Sequence, residues 1–199
     1  MRAVFFDVGE TIVDETVVWT HWADHFGIPR FTFFAVFGVL IDRGEDHQKI
    51  FDIFGVERDE SWEGFGLEHL YPDAVRCLRT LRDRGLRLGL VGNTSPQIED
   101  ILRTLDLPVD VIGSSGRWGI EKPAPAFFER VIAEGGFAPD ETAYVGDRLD
   151  NDVLPAVDAG MVGIHLRRGP WGIVHAMRPE VARASHRIES LDELIDLIG

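Results

Sequence analysis

At 199 residues, 45% of them apolar, the chain is long enough to bury one substantial core with a small accessory domain, and too short for two unrelated full-size domains. A formal net charge of -14 argues against a grip on nucleic acid or an anionic membrane surface, which would both repel it. No apolar run approaches the roughly 18 to 20 residues that cross a bilayer, no signal peptide precedes the first strand-like segment, and the single cysteine, Cys77, lacks a disulfide partner, so a cytoplasmic protein is expected.

In chain order, Ala3 to Phe6 is a short apolar run that stops at Asp7 and then Gly9. This is the pattern of a buried parallel strand with an acidic residue at its carboxyl end. Residues 14–71 break the pattern with Trp19, Trp22, Trp62 and the run FTFFAVFGVLI, which lacks strand alternation. A helical insertion is expected there, its apolar run bracketed by Arg30 and Asp42 and forming a buried helix between insertion and core. His21 and His25 share one helical face, a spacing compatible with a metal pair but lacking a third ligand, so with Trp19 and Trp22 they are expected to line or pack the insertion.

Beyond Asp73, helix and strand signals alternate. Ala74, Val75, Leu78 and Leu81 stand at helical spacing before a Gly85 stop, and Cys77 falls within that pattern as a packing residue. The strand LRLGLVG follows, then Ser95 as N-cap and Pro96 at the first helical position, with Ile98, Ile101, Leu102 and Leu105 as one apolar face. VDVIG is a strand, residues around Pro125 to Ala133 a helix, TAYVGD a strand, residues from about Asn151 to Ala159 a helix, and MVGIHL one more strand. LRRGPWG reads as a loop carrying Arg167, Arg168 and Trp171, either structural or placed to touch substrate or a second subunit. Ser190 and Glu193 have capping-box spacing ahead of a last helix with Leu191, Leu194, Ile195 and Ile198 on its docking face. The alternation implies an α/β fold with a parallel sheet.

In such a sheet, ligands bind beyond the carboxyl ends of the strands, where loops converge and helix amino termini point inward. Asp7, Asn93 and Asp147 each follow a strand, which would gather two carboxylates and an amide from distant parts of the chain. Each of them alone also fits a turn or cap residue, and Lys122 a solvated loop lysine. Carboxylates at 147, 150 and 152 would repel one another if gathered without a cation, so part of that cluster either faces water or binds metal.

The segments FFDVGETIV, LVGNT, EKPAPAFF and YVGDRLDND resemble, in order, the four motifs of the haloacid dehalogenase superfamily, and the resemblance covers nearly the whole chain. It implies a Rossmann-like core of residues 1–13 and 72–199, with residues 14–71 as a small α-helical cap inserted after the first strand. It further implies Mg²⁺-dependent hydrolysis of a small phosphorylated metabolite through an aspartyl-phosphate on Asp7. Lys122 and the metal would neutralise charge, the metal being held by Asp7, the Gly9 carbonyl and Asp147, with Asp152 supporting it through water. Asn93 and nearby backbone N–H groups would bind phosphoryl oxygens, and Thr11 would fix the loop.

Two positions depart from the family pattern. Gly9 stands where phosphatases of this superfamily carry a second Asp, the acid that protonates the leaving oxygen, so substrates with good leaving groups are expected; Glu10 is adjacent but should point elsewhere. Gly92 stands where the family carries Ser or Thr, and Thr94 is the candidate to supply that hydroxyl to the substrate. Two other readings remain open: a metal-independent 2-haloacid dehalogenase, and a weak or inactive member that binds a ligand or protein partner.

Overall fold

The computed structural model describes residues 1–59, 62 and 64–198. The chain forms β1 (Ala3–Phe6), α1 (Thr16–His25), α2 (Arg30–Asp42), α3 (Lys49–Phe54), α4 (Ala74–Asp83), β2 (Arg87–Gly92), α5 (Pro96–Thr104), β3 (Val111–Ser114), a one-turn α6 (Ser115–Trp118), α7 (Pro125–Gly135), β4 (Thr142–Gly146), α8 (Leu154–Asp158), β5 (Val162–Leu166), α9 (Gly169–His175), β6 (His186–Ile188) and α10 (Leu191–Leu197). The six strands make one parallel sheet in the order β3-β2-β1-β4-β5-β6. This is an α/β, Rossmann-like fold, and its strand order reverses at β1, which lies between β2 and β4. The central strands β1 and β4 read as near-continuous apolar runs because both faces are covered: every residue of the two is buried.

Two compact units divide the chain, one of residues 1–14 with 66–199 and one of residues 15–65. The first contains the sheet. Its core packs Phe5, Val91, Phe127, Phe128, Val131 and Tyr144 together, with Phe127, Phe128 and Tyr144 in successive edge-to-face ring contacts.

The second unit is built on aromatic rings. Trp19 lies 4.4 Å from Phe37 and 6.4 Å from Phe51 between ring centroids, and Phe33 stacks on Phe54. The helix expected across FTFFAVFGVLI forms as α2, but only a stripe of it is buried: Phe33, Phe37, Leu40 and Ile41 are inside, while Phe31 is 88% exposed. A nearly all-apolar sequence carries no polar face to mark its outer side, so its neighbours decide which rings are covered. His21 and His25 stack at 5.7 Å between centroids, and His25 Nε2 lies 3.0 Å from Asp59 Oδ2. Both tryptophans of the expected packing face, Trp19 and Trp22, are buried.

Three differences from the expected elements stand out. The helix expected from Asn151 instead begins as a wide π-turn over Leu149–Val153, with Val153 N–H reaching back to the Arg148 carbonyl, and becomes α8 only at Leu154. Pro155 brings no N–H to the first turn, which loosens the ordinary register there. LRRGPWG is no loop beyond Arg168, because Gly169 starts α9 with Pro170 in its first turn. β6 was not expected: three residues with two exposed side chains make a short charged edge strand that hydrophobic patterning does not mark.

Candidate active site

Asp7 and Asp147 lie just past the ends of the neighbouring strands β1 and β4, at the point where the strand order reverses. The Asp7 N–H continues the ladder to the Val145 carbonyl at 2.9 Å, so the backbone of the candidate nucleophile is set by the sheet. Gly92, at the end of β2, flanks the carboxylate: a Cβ there would sit 2.6 Å from Asp7 Oδ1. The glycine that departs from the family pattern therefore leaves the room that the Asp7 side chain occupies.

Lys122 Nζ donates to Asp7 Oδ1 at 2.7 Å and to Asp152 Oδ1 at 2.5 Å, and its side chain is only 1% exposed. Burial by itself disfavours the ammonium, but the Asp152 and Asp7 charges override it and hold the Lys122 pKa well above its ordinary value. Lys122 is therefore a permanent cation. Its backbone is pinned by Asn93, whose Oδ1 accepts the Lys122 N–H and whose Nδ2 donates to the Lys122 carbonyl, each at 2.8 Å. The amide oxygen and one of its N–H bonds position the lysine loop, which leaves one N–H for any substrate oxygen.

Asp7, Asp147 and Asp152 present carboxylate oxygens that all lie within 4.8 Å of one another. Asp152 is fully buried with both oxygens engaged, Oδ1 by Lys122 and Oδ2 by the Arg148 N–H at 3.0 Å. Asp147 differs, because its Oδ2 is buried and has no hydrogen-bond partner among the described residues. Burial, followed by the charges of Asp152, Asp7 and Glu10, pushes the Asp147 pKa well above the carboxylate range. Burial likewise raises Asp152, to about 6, against the pull of Lys122. One lysine facing three carboxylates leaves an excess of negative charge, and an orphaned hard oxygen beside two others fits a divalent cation such as Mg²⁺.

Asp150 stands apart from this cluster, held by the Arg148 guanidinium at 3.0 and 3.2 Å. Thr94 has a buried hydroxyl with no partner among the described residues, just ahead of the start of α5. The Thr11 hydroxyl is equally unpartnered, so its expected loop-fixing role falls to its carbonyl, which accepts from Arg168. Gly9 lies half-buried in the turn after Val8, in an isolated bridge with Val13. Glu10 is buried, and its Oε2 accepts the Tyr71 hydroxyl at 2.6 Å.

Residues 1–160 match the profile of the haloacid dehalogenase-like hydrolases. The chain belongs to this family. A glyceraldehyde 3-phosphate phosphatase of Methanocaldococcus jannaschii is 32% identical over 131 residues, covering 64% of this chain and 56% of that protein. The chain spans about half the length of several curated relatives that it matches. The crystal structure of a HAD phosphatase from Thermococcus onnurineus aligns over 100% of this chain and 98% of its own with a TM-score of 0.69 and 26% identity. An L-2-haloacid dehalogenase from Xanthobacter autotrophicus, 20% identical, shares the fold at a TM-score of 0.70, covering 100% of this chain and 98% of its own.

The site of this family member includes residues that the motifs did not reveal. His165 on β5 donates through Nε2–H to the Asp147 carbonyl at 3.0 Å, and His175 Nδ1 accepts the Leu149 N–H at 3.0 Å. Both imidazoles are buried, and burial lowers their pKa values, that of His175 to about 4, which keeps the His175 Nδ1 free of a proton to accept its bond. A histidine inside the apolar strand MVGIHL was the one sequence signal for this layer.

Proposed function

We propose that the chain is a Mg²⁺-dependent phosphatase that acts on a small phosphorylated metabolite through an aspartyl-phosphate on Asp7. The observation that carries this reading is the unpartnered Asp147 Oδ2 in a buried cluster with Asp7, Asp152 and Lys122. The phosphatase names of its relatives support the substrate class.

Asp7, Asp147 and the Gly9 carbonyl would hold Mg²⁺, with Asp152 behind them, and the ion would neutralise charge on the phosphoryl group. Asp7, with its backbone set by the sheet, attacks phosphorus as the ester P–O bond breaks and the leaving oxygen departs, and water then releases the phosphoryl group as phosphate and restores the carboxylate. Lys122, locked by Asn93 and Asp152, offsets the repulsion between the anionic nucleophile and the anionic phosphate. The Thr94 hydroxyl and the amino terminus of α5 are the donors for phosphoryl oxygens. Residues 14–71 act as a helical cap that selects the substrate. The operating compartment is the cytoplasm; among the described residues no helix is long and apolar enough to cross a membrane.

Gly9 provides no acid for the leaving oxygen, and Tyr71 already engages Glu10. Acyl and aryl phosphates are therefore expected to turn over faster than plain sugar phosphates, by about the 10² to 10⁴ that general acid catalysis contributes. The test is a panel of these substrates with and without Mg²⁺, alongside Asp7→Asn. Metal-dependent turnover lost in Asp7→Asn supports the reading; release of halide from a 2-haloacid after complete metal removal replaces it with dehalogenation. The missing acid at Gly9 also favours a second reading, a weak member that binds ligand or partner, for which saturable binding without turnover is the signature.

A further inference from the structure

The chain enters and leaves residues 15–65 through two segments that run side by side. Asp14 N–H donates to the His69 carbonyl and Tyr71 N–H to the Ile12 carbonyl, each at 2.9 Å, and Val13 faces Leu70 in an antiparallel bridge. Arg168, the residue before α9, closes over this pair. Its Nη1 donates to the Thr11 carbonyl at 3.0 Å, its Nη2 pairs with the Asp73 carboxylate, and its Cζ lies 4.1 Å from the centre of the Tyr71 ring. One guanidinium thus touches the outgoing segment at Thr11 and the returning segment at Tyr71 and Asp73.

Tyr71 extends the contact toward the site, its hydroxyl donating to Glu10 Oε2. Glu10 lies three residues beyond Asp7 and adopts a left-handed backbone, φ 52°, which a glutamate holds only when its surroundings impose it. Gly169 closes the other side of that side chain: at φ 64° it is already in glycine's territory, and a Cβ there would meet Glu10 Oε2 at 2.2 Å. The Arg168-Gly169 pair therefore shapes the turn after Asp7 by a clasp on one side and a close approach on the other.

We propose that Arg168 is a positioning residue: its guanidinium clasps both crossing segments and, through Tyr71, holds the loop over residues 8–13 in the shape that presents Asp7. Arginine suits the task because its planar fork serves two acceptors while its face covers a ring, which the point charge of lysine does not reproduce. The catalytic consequence rests on the phosphatase reading above, whereas the clasp itself does not.

Arg168→Met alone would leave the buried Asp73 carboxylate with the Leu191 N–H but no counter-charge, so the test uses Arg168→Met with Asp73→Asn, which removes both charges together. Arg168→Lys is the conservative variant. Arg167→Met is the control, since the exposed Arg167 pairs with Glu189 at the surface. Steady-state kinetics on an aryl phosphate with Mg²⁺ are measured beside amide hydrogen exchange in the segments 8–14 and 69–72.

In the folded double variant kcat is expected to fall by about 10², the usual cost of misplacing a reacting group by an ångström, with KM within about twofold. Exchange at Ile12, Val13, Asp14 and Tyr71 should rise at least about tenfold, Arg168→Lys should not restore kcat, and Arg167→Met should match the parent. Wild-type kcat or unchanged exchange in a double variant that melts like the parent would overturn the proposal. If the parent itself turns over no phosphate ester, the phosphatase reading fails separately and exchange alone decides the clasp, unchanged protection refuting it.

Discussion

The strand ends of the sheet and the insertion have two different kinds of interior. At the strand ends, Asp7, Lys122, Asp147 and Asp152 share carboxylate oxygens and one ammonium; the Asn93 and His165 side chains hold the backbones of Lys122 and Asp147, and the Arg148 N–H holds Asp152. In the insertion, Trp19, Phe33, Phe37 and Phe51 pack ring against ring, and no charged side chain is buried among its described residues. A charged interior tolerates few substitutions, because each group left unpaired costs its full desolvation. An aromatic interior mainly requires apolar volume, so many sequences serve equally well.

The largest effect should come from breaking the charged interior. Lys122→Met strands two carboxylates and should cost about 3–5 kcal/mol of stability and about 10² to 10³ in kcat; urea denaturation and phosphate-ester kinetics measure both. An activity near that of the parent would show that the lysine is structural only.

Phe37→Ala strikes the aromatic interior. It should lower the stability of residues 15–65 by about 3–5 kcal/mol, seen as faster hydrogen exchange in α1 to α3 while β1 and β4 keep their protection. Equal loss in both units would erase the contrast between them.

The histidine layer beneath the acidic loop should show itself in pH dependence. Unfolded His175 takes up a proton below its ordinary pKa of 6.5, whereas the folded residue resists until about 4. Its contribution is therefore complete above pH 6.5 and is lost as the pH falls toward 4, amounting to no more than about 2 kcal/mol between pH 7 and 5. The denaturant midpoint of His175→Gln should fall less than that of the parent over this range.

The smallest effect should be Phe31→Ser. Removing a ring that is 88% exposed should change stability by less than about 0.5 kcal/mol; a clear change in melting temperature, or in the concentration dependence of sedimentation, would mean that the exposed stripe of α2 is covered in solution.

Legibility followed the same division. Asp7 and Asp147 stand directly after apolar strands, which is a local signal, whereas Lys122 and Asp152 carry no such mark and enter the site only through the resemblance of four motifs in order. In LRRGPWG, Arg168 is visible but has no assignable role, since its partners Thr11, Tyr71 and Asp73 lie 95 or more residues away in sequence. Asn93 stands directly after a strand, but nothing local in the sequence indicates that its amide pairs with the Lys122 backbone.

By itself the sequence determined the α/β alternation, the helical character of the insertion and the acidic residues at the strand ends, all consequences of periodicity and residue chemistry within short windows. Tertiary structure alone decided which carboxylate oxygen stays unpartnered, which arginine turns inward, which face of α2 is covered and where α8 begins. Those outcomes depend on groups brought together by the sheet from distant parts of the chain, and pairing across such distances leaves no mark in local pattern.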